Sequence, residues 1–244
     1  MKTMLITGAS SGIGRSTALA AAKMGWRVIA CGRNESRLAC LRDDAQGIET
    51  LAFDLSDLEA CRAHLRGLKP DVTILNAGVC EYVDTEDWDP ALFRRVFDAN
   101  FFSAVNTLDA LLPSLDSGSQ LIFIDSLARL LPFTRSEAYG ASKAAVYYLA
   151  KSLEVDLRDR GLVVQSVSPG FVRTPLTDKN DFAMPLRLEA DDAAAAILRR
   201  VETRERTAFF PTLFSGLVRL LSSLPSSLQA SLCWQLARRQ GAQS

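Results

Sequence analysis

The stretch "TGASSGIGRS", residues 7–16, decides the fold. The apolar run "KTMLI" precedes it, and "RSTALAAAKMG" with helical composition follows it, which predicts a strand, a glycine turn and a helix. In this setting Gly8 turns the chain off the strand, Gly12 leaves room for a phosphate, and Gly14 lets the helix approach the sheet. The loop therefore predicts an anion site at the start of the first helix.

Two other interpretations of this loop are possible. A nucleoside triphosphate loop requires glycine where Ala9 stands and lysine where Arg15 stands, so the sequence fails that pattern at two positions. An ordinary tight turn between a strand and a helix remains open on the loop alone.

Composition excludes several classes of function. Lys plus Arg and Asp plus Glu number 28 each, so no overall field favours nucleic acid or an anionic membrane. The five cysteines are odd in number and lack a C-x-x-C pair, and His64 is the single histidine, so we expect reduced thiols and no metal site. The first strand begins within a few residues of Met1, which predicts no signal peptide and a cytoplasmic location.

Strand and helix patterns alternate along the chain. Nearly continuous apolar runs predict further strands at 26–32, 49–55, 71–78, 119–126 and 162–170, with helices that include 92–112 and 137–160. This order predicts a single α/β domain over 1–211, with a doubly wound parallel sheet of the Rossmann type. A C-terminal apolar helical extension is expected over 212–244.

Polar or unusual residues follow the predicted strands. In such sheets ligands bind outside the carboxyl ends of the strands. The residues at these ends are Gly8, Arg33, Asp54, Asn76, Ser126 and Pro169 with Gly170. Their convergence on one crevice strengthens the ligand interpretation of the glycine loop.

The end of the second strand indicates which nucleotide is bound. "CGRN", residues 31–34, places Arg33 where an NAD-binding fold usually has a carboxylate for the ribose 2′-hydroxyl. Because a guanidinium binds a 2′-phosphate, NADP(H) is favoured over NAD(H), and Arg15 offers a second charge. Alternatively, both arginines are solvated surface residues, and Glu35 weakens the discrimination.

The stretch "AYGASKAA" places Tyr139 and Lys143 four residues apart on one face of a helix. A neighbouring ammonium lowers the pKa of a phenol, so the pair can act as an acid or a base at a carbonyl or an alcohol. Ser126 ends the preceding strand and points into the same crevice. Asn100, within "DANFF", needs hydrogen-bond partners if it is buried.

These motifs resemble the short-chain dehydrogenase/reductase family over roughly residues 3–211. The resemblance rests on "TGASSGIG", "NAG" at 76–78, Asn100, Ser126, "YGASK" and "PGFVRTPL" at 169–176. It implies that Tyr139 is the acid/base and that Ser126 holds the substrate carbonyl. Lys143 is implied to bind the nicotinamide ribose and lower the pKa of the tyrosine, and Asn100 to anchor a water in a proton relay.

The resemblance also implies a cofactor surface. Asp54 and Asn76 correspond to adenosine contacts, and Gly170, Val172 and Thr174 to the segment that fixes the carboxamide. The complete implied set is Gly8, Ser10, Ser11, Gly12, Ile13, Gly14, Arg15, Arg33, Asn34, Asp54, Leu55, Asn76, Ala77, Gly78, Tyr139, Lys143, Pro169, Gly170, Val172 and Thr174.

Arg129 is a departure from the family pattern, because many relatives have a small residue there. We expect a hydrophobic ketone or aldehyde as the substrate. One alternative is a 3-oxoacyl group on an acidic carrier protein, which Arg129 and Arg173 would meet at the mouth of the crevice. Another is a non-catalytic NADP(H) sensor on the same fold.

Two apolar segments follow the motifs. Leu176, Phe182, Met184 and Leu186 predict an apolar lid over the crevice. For 212–239 three roles are open: packing on the body or a partner subunit, closing the substrate entrance, or shallow insertion into a membrane surface. The first is favoured. The helices of Tyr139 and Asn100 predict a homodimer or homotetramer.

Overall fold

The computed structural model describes residues 1–179, 184 and 186–241. In this part of the chain a seven-stranded sheet has the order β3-β2-β1-β4-β5-β6-β7, and all its strand pairs are parallel. The strands are β1 Thr3–Thr7, β2 Arg27–Gly32, β3 Ile48–Ala52, β4 Val72–Leu75, β5 Gln120–Ile124, β6 Val163–Pro169 and β7 Thr207–Phe210. The strand order reverses between β1 and β4, where a ligand crevice is expected.

Helices cover both faces of the sheet. They are α1 Gly12–Lys23, α2 Glu35–Asp44, α3 Leu58–Leu65, α4 Pro90–Phe97, α5 Ser103–Leu111, α6 Glu137–Asp156, α7 Ala190–Thr203, α8 Thr212–Ser222 and α9 Ser226–Gly241. Residues of α1, α2 and α7 share one apolar core, whereas α3, α5 and α6 pack on the opposite face. The predicted doubly wound α/β fold is therefore confirmed.

The helix predicted over 92–112 is divided. A π-helical turn, Asp98–Phe102, separates α4 from α5. π-Turns of this kind widen one turn of a helix, and they occur frequently at functional sites. Neither β7 nor α7 was predicted from the sequence. The strand β7 consists of the short apolar run "TAFF", which has no motif residues.

The two C-terminal helices pack beside the end of β5. Val218 of α8 and Cys233 of α9 are buried against Leu127 and Leu131, which follow β5 in the chain. Half-buried apolar side chains complete this C-terminal cluster: Leu130, Phe133, Phe209, Phe214 and Leu221. Among the described residues, no helix has the length and apolar character that crossing a bilayer requires.

Candidate active site

The glycine loop has the tight geometry that its sequence predicts. Gly8 and Gly12 have φ values of +68° and +53°, in the left-handed region that favours glycine. A Cβ atom on Gly14 would collide with the carbonyl of Gly8 and lie 2.6 Å from Nδ2 of Asn76. The first turn of α1 therefore lies directly against the ends of β1 and β4.

Asn76 and Thr7 join those two strand ends. The backbone N–H of Asn76 donates to Oγ1 of Thr7 over 2.9 Å, and its side-chain amide donates to the Thr7 carbonyl over 3.0 Å. Ala77 N–H also donates to Oγ1 of Thr7. The polar residues after β4 thus fix the shape of the loop that was predicted to bind phosphate.

A surface cleft of about 340 Å³ opens beside the glycine loop. It is lined by Ser10, Ser11, Gly12, Arg15, Ser36, Arg37, Cys40 and Pro175. Arg15 forms an ion pair with Asp44, and the side chain of Arg33 is 64 % exposed, 3.7 Å from Asp54. Arg37 was missed in the sequence analysis, although it lies one helical turn beyond Arg33.

Two other predicted residues of this region have local partners. Asn34 caps α2, and its Oδ1 accepts from the N–H of Arg37 over 2.9 Å. Asp54 accepts from the N–H and the hydroxyl of Ser56. Partial burial acts to raise the pKa of Asp54, but the Ser56 hydrogen bonds and the nearby Arg33 lower it overall.

Ser126, Tyr139 and Lys143 meet at the end of β5. A hydrogen bond links the Tyr139 phenol to Ser126, whose Oγ also accepts from the N–H of Ala128 over 3.1 Å. Lys143 is buried, and its Nζ donates to the Ile124 carbonyl over 2.9 Å and lies 6.0 Å from the centroid of the Tyr139 ring. Three of the four predicted catalytic residues are therefore in one place.

The fourth, Asn100, lies in the π-turn and is buried. Its Oδ1 accepts from the N–H of Val79 over 2.6 Å, and its Nδ2 donates to the Val79 carbonyl and to Oγ of Ser142. A Cβ atom on Gly78 would lie 2.9 Å from the Asn100 amide oxygen and 3.3 Å from Nζ of Lys143. The amide has the partners that its burial requires, and Gly78 leaves the space between Asn100 and Lys143 open.

The lowering of the Tyr139 pKa that the resemblance implies for Lys143 stays a prediction, because burial dominates the shift. Burial raises the pKa of the Tyr139 phenol, and the Ser126 hydrogen bond offsets only part of this change. Burial also lowers the pKa of Lys143 to about 8, so the ammonium is charged at neutral pH. Cys80, which the sequence analysis missed, interacts electrostatically with both groups.

Arg129 does not lie at the mouth of the crevice, which corrects the sequence-based expectation. Its side chain is 7 % exposed and forms an ion pair of 3.0 Å with the buried Asp125. Its guanidinium carbon lies 3.4 Å from the ring centroid of Tyr147 on α6. Ser166 and Ser168 of β6 donate their hydroxyls to Asp125, so the pair is fully enclosed.

The segment after β6 completes the crevice. The side chain of Thr174 approaches Gly12 so closely that a Cβ there would lie 3.0 Å from its methyl group. Val172 is buried, and a Cβ on Gly170 would lie 3.0 Å from the Phe214 ring of α8. Arg173 is 59 % exposed and pairs with Glu189.

The predicted lid is described only in part. Leu176 and Met184 are half-buried, Leu186 is exposed, and Phe182 lies outside the described residues.

Comparison with known proteins gives consistent matches. The sequence model of the short chain dehydrogenase family matches residues 2–184. An uncharacterized oxidoreductase of Myxococcus xanthus is 34 % identical over 238 residues, covering 93 % of this chain and 94 % of its own length. A 3beta-hydroxysteroid dehydrogenase of Mediterraneibacter gnavus is 33 % identical over 206 residues, covering 77 % and 72 %.

A solved structure agrees with these matches. It is a short-chain dehydrogenase from Sphingobium yanoikuyae in complex with NADPH, with a TM-score of 0.78 and 28 % identity. The alignment covers 92 % of this chain and 97 % of that structure.

Replacing Lys143 by methionine is expected to change how stability depends on pH. The unfolded lysine keeps its proton up to a pKa of 10.5, whereas the folded one releases it near 8. Between these values the unfolded state binds more protons, so the wild type gains stability over the variant by about 1.4 kcal/mol per pH unit. Urea unfolding of both proteins between about pH 7 and pH 10 measures this difference.

The comparison cancels other titrations in the same range. Burial raises the pKa values of Cys31 and Cys61, and these thiols are common to both proteins. Cys80 interacts with Lys143, so it is replaced by serine in both proteins. A difference in unfolding free energy that stays constant across the range would contradict the depressed pKa of Lys143.

Replacing Arg129 by methionine is expected to destabilise the fold by about 3–5 kcal/mol, because the buried Asp125 loses its counter-charge. The control is Arg173→Met, whose exposed ion pair contributes at most about 1 kcal/mol. Adding Asp125→Asn to Arg129→Met removes the unpaired charge and should recover most of the loss. Equal urea midpoints for the two single variants would show that the buried pair contributes no more to the free energy of unfolding than the exposed pair.

Proposed function

The chain belongs to the short-chain dehydrogenase family and is an oxidoreductase, and from this premise we propose that it is an NADP(H)-dependent reductase of hydrophobic ketones or aldehydes. The observation that carries the proposal is the convergence of Ser126, Tyr139 and Lys143 at the end of β5, with Asn100 adjoining. A non-catalytic sensor on this fold would not need all four side chains in one network.

The chain's own residues fit a dinucleotide. Thr174 packs against Gly12, where a Cβ would lie 3.0 Å from its methyl group, so the glycine loop and the segment after β6 meet at the crevice. Free N–H groups at the start of α1 suit a pyrophosphate, and Lys143 suits a ribose hydroxyl. When bound, the nicotinamide ring would supply or accept a hydride at the substrate carbon.

Tyr139 would supply the proton in the reduction. Because burial raises its pKa, the phenol is protonated at neutral pH and can donate to a carbonyl oxygen that gains electron density. The hydrogen bond with Ser126 and the positive charge of Lys143 would stabilise the phenolate that remains. Asn100 holds the backbone at Val79, and we propose that it positions a water that returns a proton to the site.

Ser126 would orient the substrate. Its Oγ accepts from the N–H of Ala128, which leaves the hydroxyl proton available to the Tyr139 oxygen or to a carbonyl oxygen. Its backbone is extended, with φ −163° and ψ 152°, so it directs the side chain away from the buried Asp125.

The preference for NADP(H) rests on the arginines near the end of β2. Arg33 is exposed at that strand end, and Arg15 and Arg37 line the adjoining cleft. A 2′-phosphate would compete with Asp54 for Arg33 and with Asp44 for Arg15. Ser36 adds a hydroxyl donor to the same cleft.

The expected substrate is apolar because of the C-terminal cluster. Leucines and a phenylalanine of the loop that follows Ser126 pack with α8, and Phe214 of α8 adjoins Gly170. The 3beta-hydroxysteroid dehydrogenase among the relatives has a name consistent with a lipophilic substrate. The alternative substrate, an acyl group on an acidic carrier protein, is less well supported. Of the two arginines expected to contact the carrier, Arg129 is buried.

We also propose that two copies associate through α5 and α6, and that the enzyme acts in the cytoplasm. Tyr148 and Val155 of α6 are 76 % and 72 % exposed, and Phe102 beside α5 is 46 % exposed. Isologous packing of these faces would cover the apolar side chains.

Tyr139→Phe is expected to lower kcat/KM for ketones and aldehydes by about 10²–10⁴-fold, since the proton donor is removed. The binding of NADPH, followed by its fluorescence, should remain close to that of the wild type. Tyr148→Phe is the matched control on the exposed face of α6, and it should leave the rate unchanged. Turnover by the Tyr139 variant at the original rate would exclude this mechanism.

Arg33→Ala is expected to weaken NADPH binding by about 10–100-fold and to leave NADH binding almost unchanged, because only the 2′-phosphate needs the guanidinium. Arg42→Ala is the control, as Arg42 is similarly exposed on α2. Titrations of each protein with both nucleotides measure the effect. A wild type that binds NADH more tightly than NADPH would refute the preference.

A further inference from the structure

The two C-terminal helices, α8 and α9, carry exposed apolar side chains. Leu213, Leu217 and Leu220 of α8 are 81 %, 53 % and 67 % exposed. Their spacing places them along one side of the helix, opposite the buried Ser215 and Val218. On α9, Leu228 and Trp234 are also more than half exposed. We refer to Leu213, Leu217 and Leu220 as the leucine face.

The charge of this region differs from that of the rest of the chain. Residues 206–244 contain four arginines, Arg206, Arg219, Arg238 and Arg239, and no Lys, Asp or Glu. All 28 acidic residues therefore lie in 1–205, and they outnumber the basic residues there. Although the whole chain has a formal net charge of zero, its C-terminal part is cationic.

Arginine and aromatic side chains are paired on the C-terminal helices and beside them. The guanidinium carbon of Arg238 lies 4.9 Å from the ring centroid of Trp234, and that of Arg219 lies 4.6 Å from that of Phe209. Tryptophan and arginine side chains of this kind favour the boundary between lipid headgroups and acyl chains. Neither helix crosses a bilayer, so contact is limited to the membrane surface.

From the exposed leucines and this charge asymmetry we propose that the leucine face binds the surface of an anionic lipid bilayer. The leucines enter the acyl boundary, Trp234 lies at the headgroups, and Arg219 and Arg238 contact lipid phosphates. A second copy of the chain is a poorer occupant, because two such faces would bring cationic regions together without an acidic residue between them.

The face is connected to the candidate active site. The inward side of the same helices packs on Leu127 and Leu131, which directly follow Ser126. Docking on a membrane would therefore place the lipid surface beside the loop that borders the site. This would deliver a lipophilic substrate without its passage through water, which goes beyond the reductase activity proposed above.

Co-sedimentation of the full chain with vesicles tests the proposal. The wild type should bind vesicles of two parts phosphatidylcholine to one part phosphatidylglycerol and should bind pure phosphatidylcholine vesicles much less. Leu213→Ser, Leu217→Ser and Leu220→Ser combined should lower the partition coefficient at least about tenfold. Arg238→Gln should lower it about fivefold. Met24→Ser with Trp88→Ser, at similarly exposed apolar positions, is the control and should bind like the wild type.

A direct measurement covers the case in which the triple variant fails to fold. Brominated lipids should quench tryptophan fluorescence of the wild type, and Trp234→Phe should remove most of that quenching. Absence of wild-type binding to the anionic vesicles would overturn the proposal, as would equal binding by a folded triple variant. A triple variant that only lowers the oligomeric state in sedimentation velocity, with no vesicle binding by the wild type, would assign the face to a second copy instead.

Discussion

Three successive residues organise the candidate site: Ile124, which ends β5, and Asp125 and Ser126, which follow it. The carbonyl of Ile124 accepts from Nζ of Lys143, the carboxylate of Asp125 pairs with Arg129, and Ser126 is hydrogen-bonded to Tyr139. Neighbouring side chains of an extended chain point in opposite directions, so the side chains of Asp125 and Ser126 point to opposite sides of the strand end. Lys143 lies on the side of the crevice, whereas Asp125 is enclosed with the hydroxyls of β6.

The two buried charges have different consequences. Asp125 has a counter-charge in Arg129 and two hydroxyl donors, but burial outweighs them and raises the pKa of this carboxyl. Lys143 has one carbonyl partner and no carboxylate at hydrogen-bonding distance among the described contacts, and burial lowers its pKa to about 8. A poorly compensated charge in a crevice is typical of a functional site, where stability is lost in return for reactivity.

Local sequence patterns predicted what depends on local geometry. The glycine turn follows from the spacing of Gly8, Gly12 and Gly14, and the adjacency of Tyr139 and Lys143 from their helical separation. Arg129 was misplaced because its local ion pair with Asp125 is buried by groups distant in the sequence, namely the Ser168 hydroxyl of β6 and the Tyr147 ring of α6. The burial of the Tyr139 phenol, which raises its pKa, depends on the assembled crevice and could not be predicted from the helical spacing.

The same reasoning explains why the C-terminal helices differ from the rest of the fold. Elements of the sheet bury both of their sides, so their apolar residues are accounted for by the core. On α8, Ser215 and Val218 are buried and Phe214 is half-buried in the C-terminal cluster, whereas Leu213, Leu217 and Leu220 point outward. Burial within this chain therefore does not explain Leu213, Leu217 and Leu220. An external apolar surface does, and the absence of acidic residues from 206–244 makes an anionic one the best match.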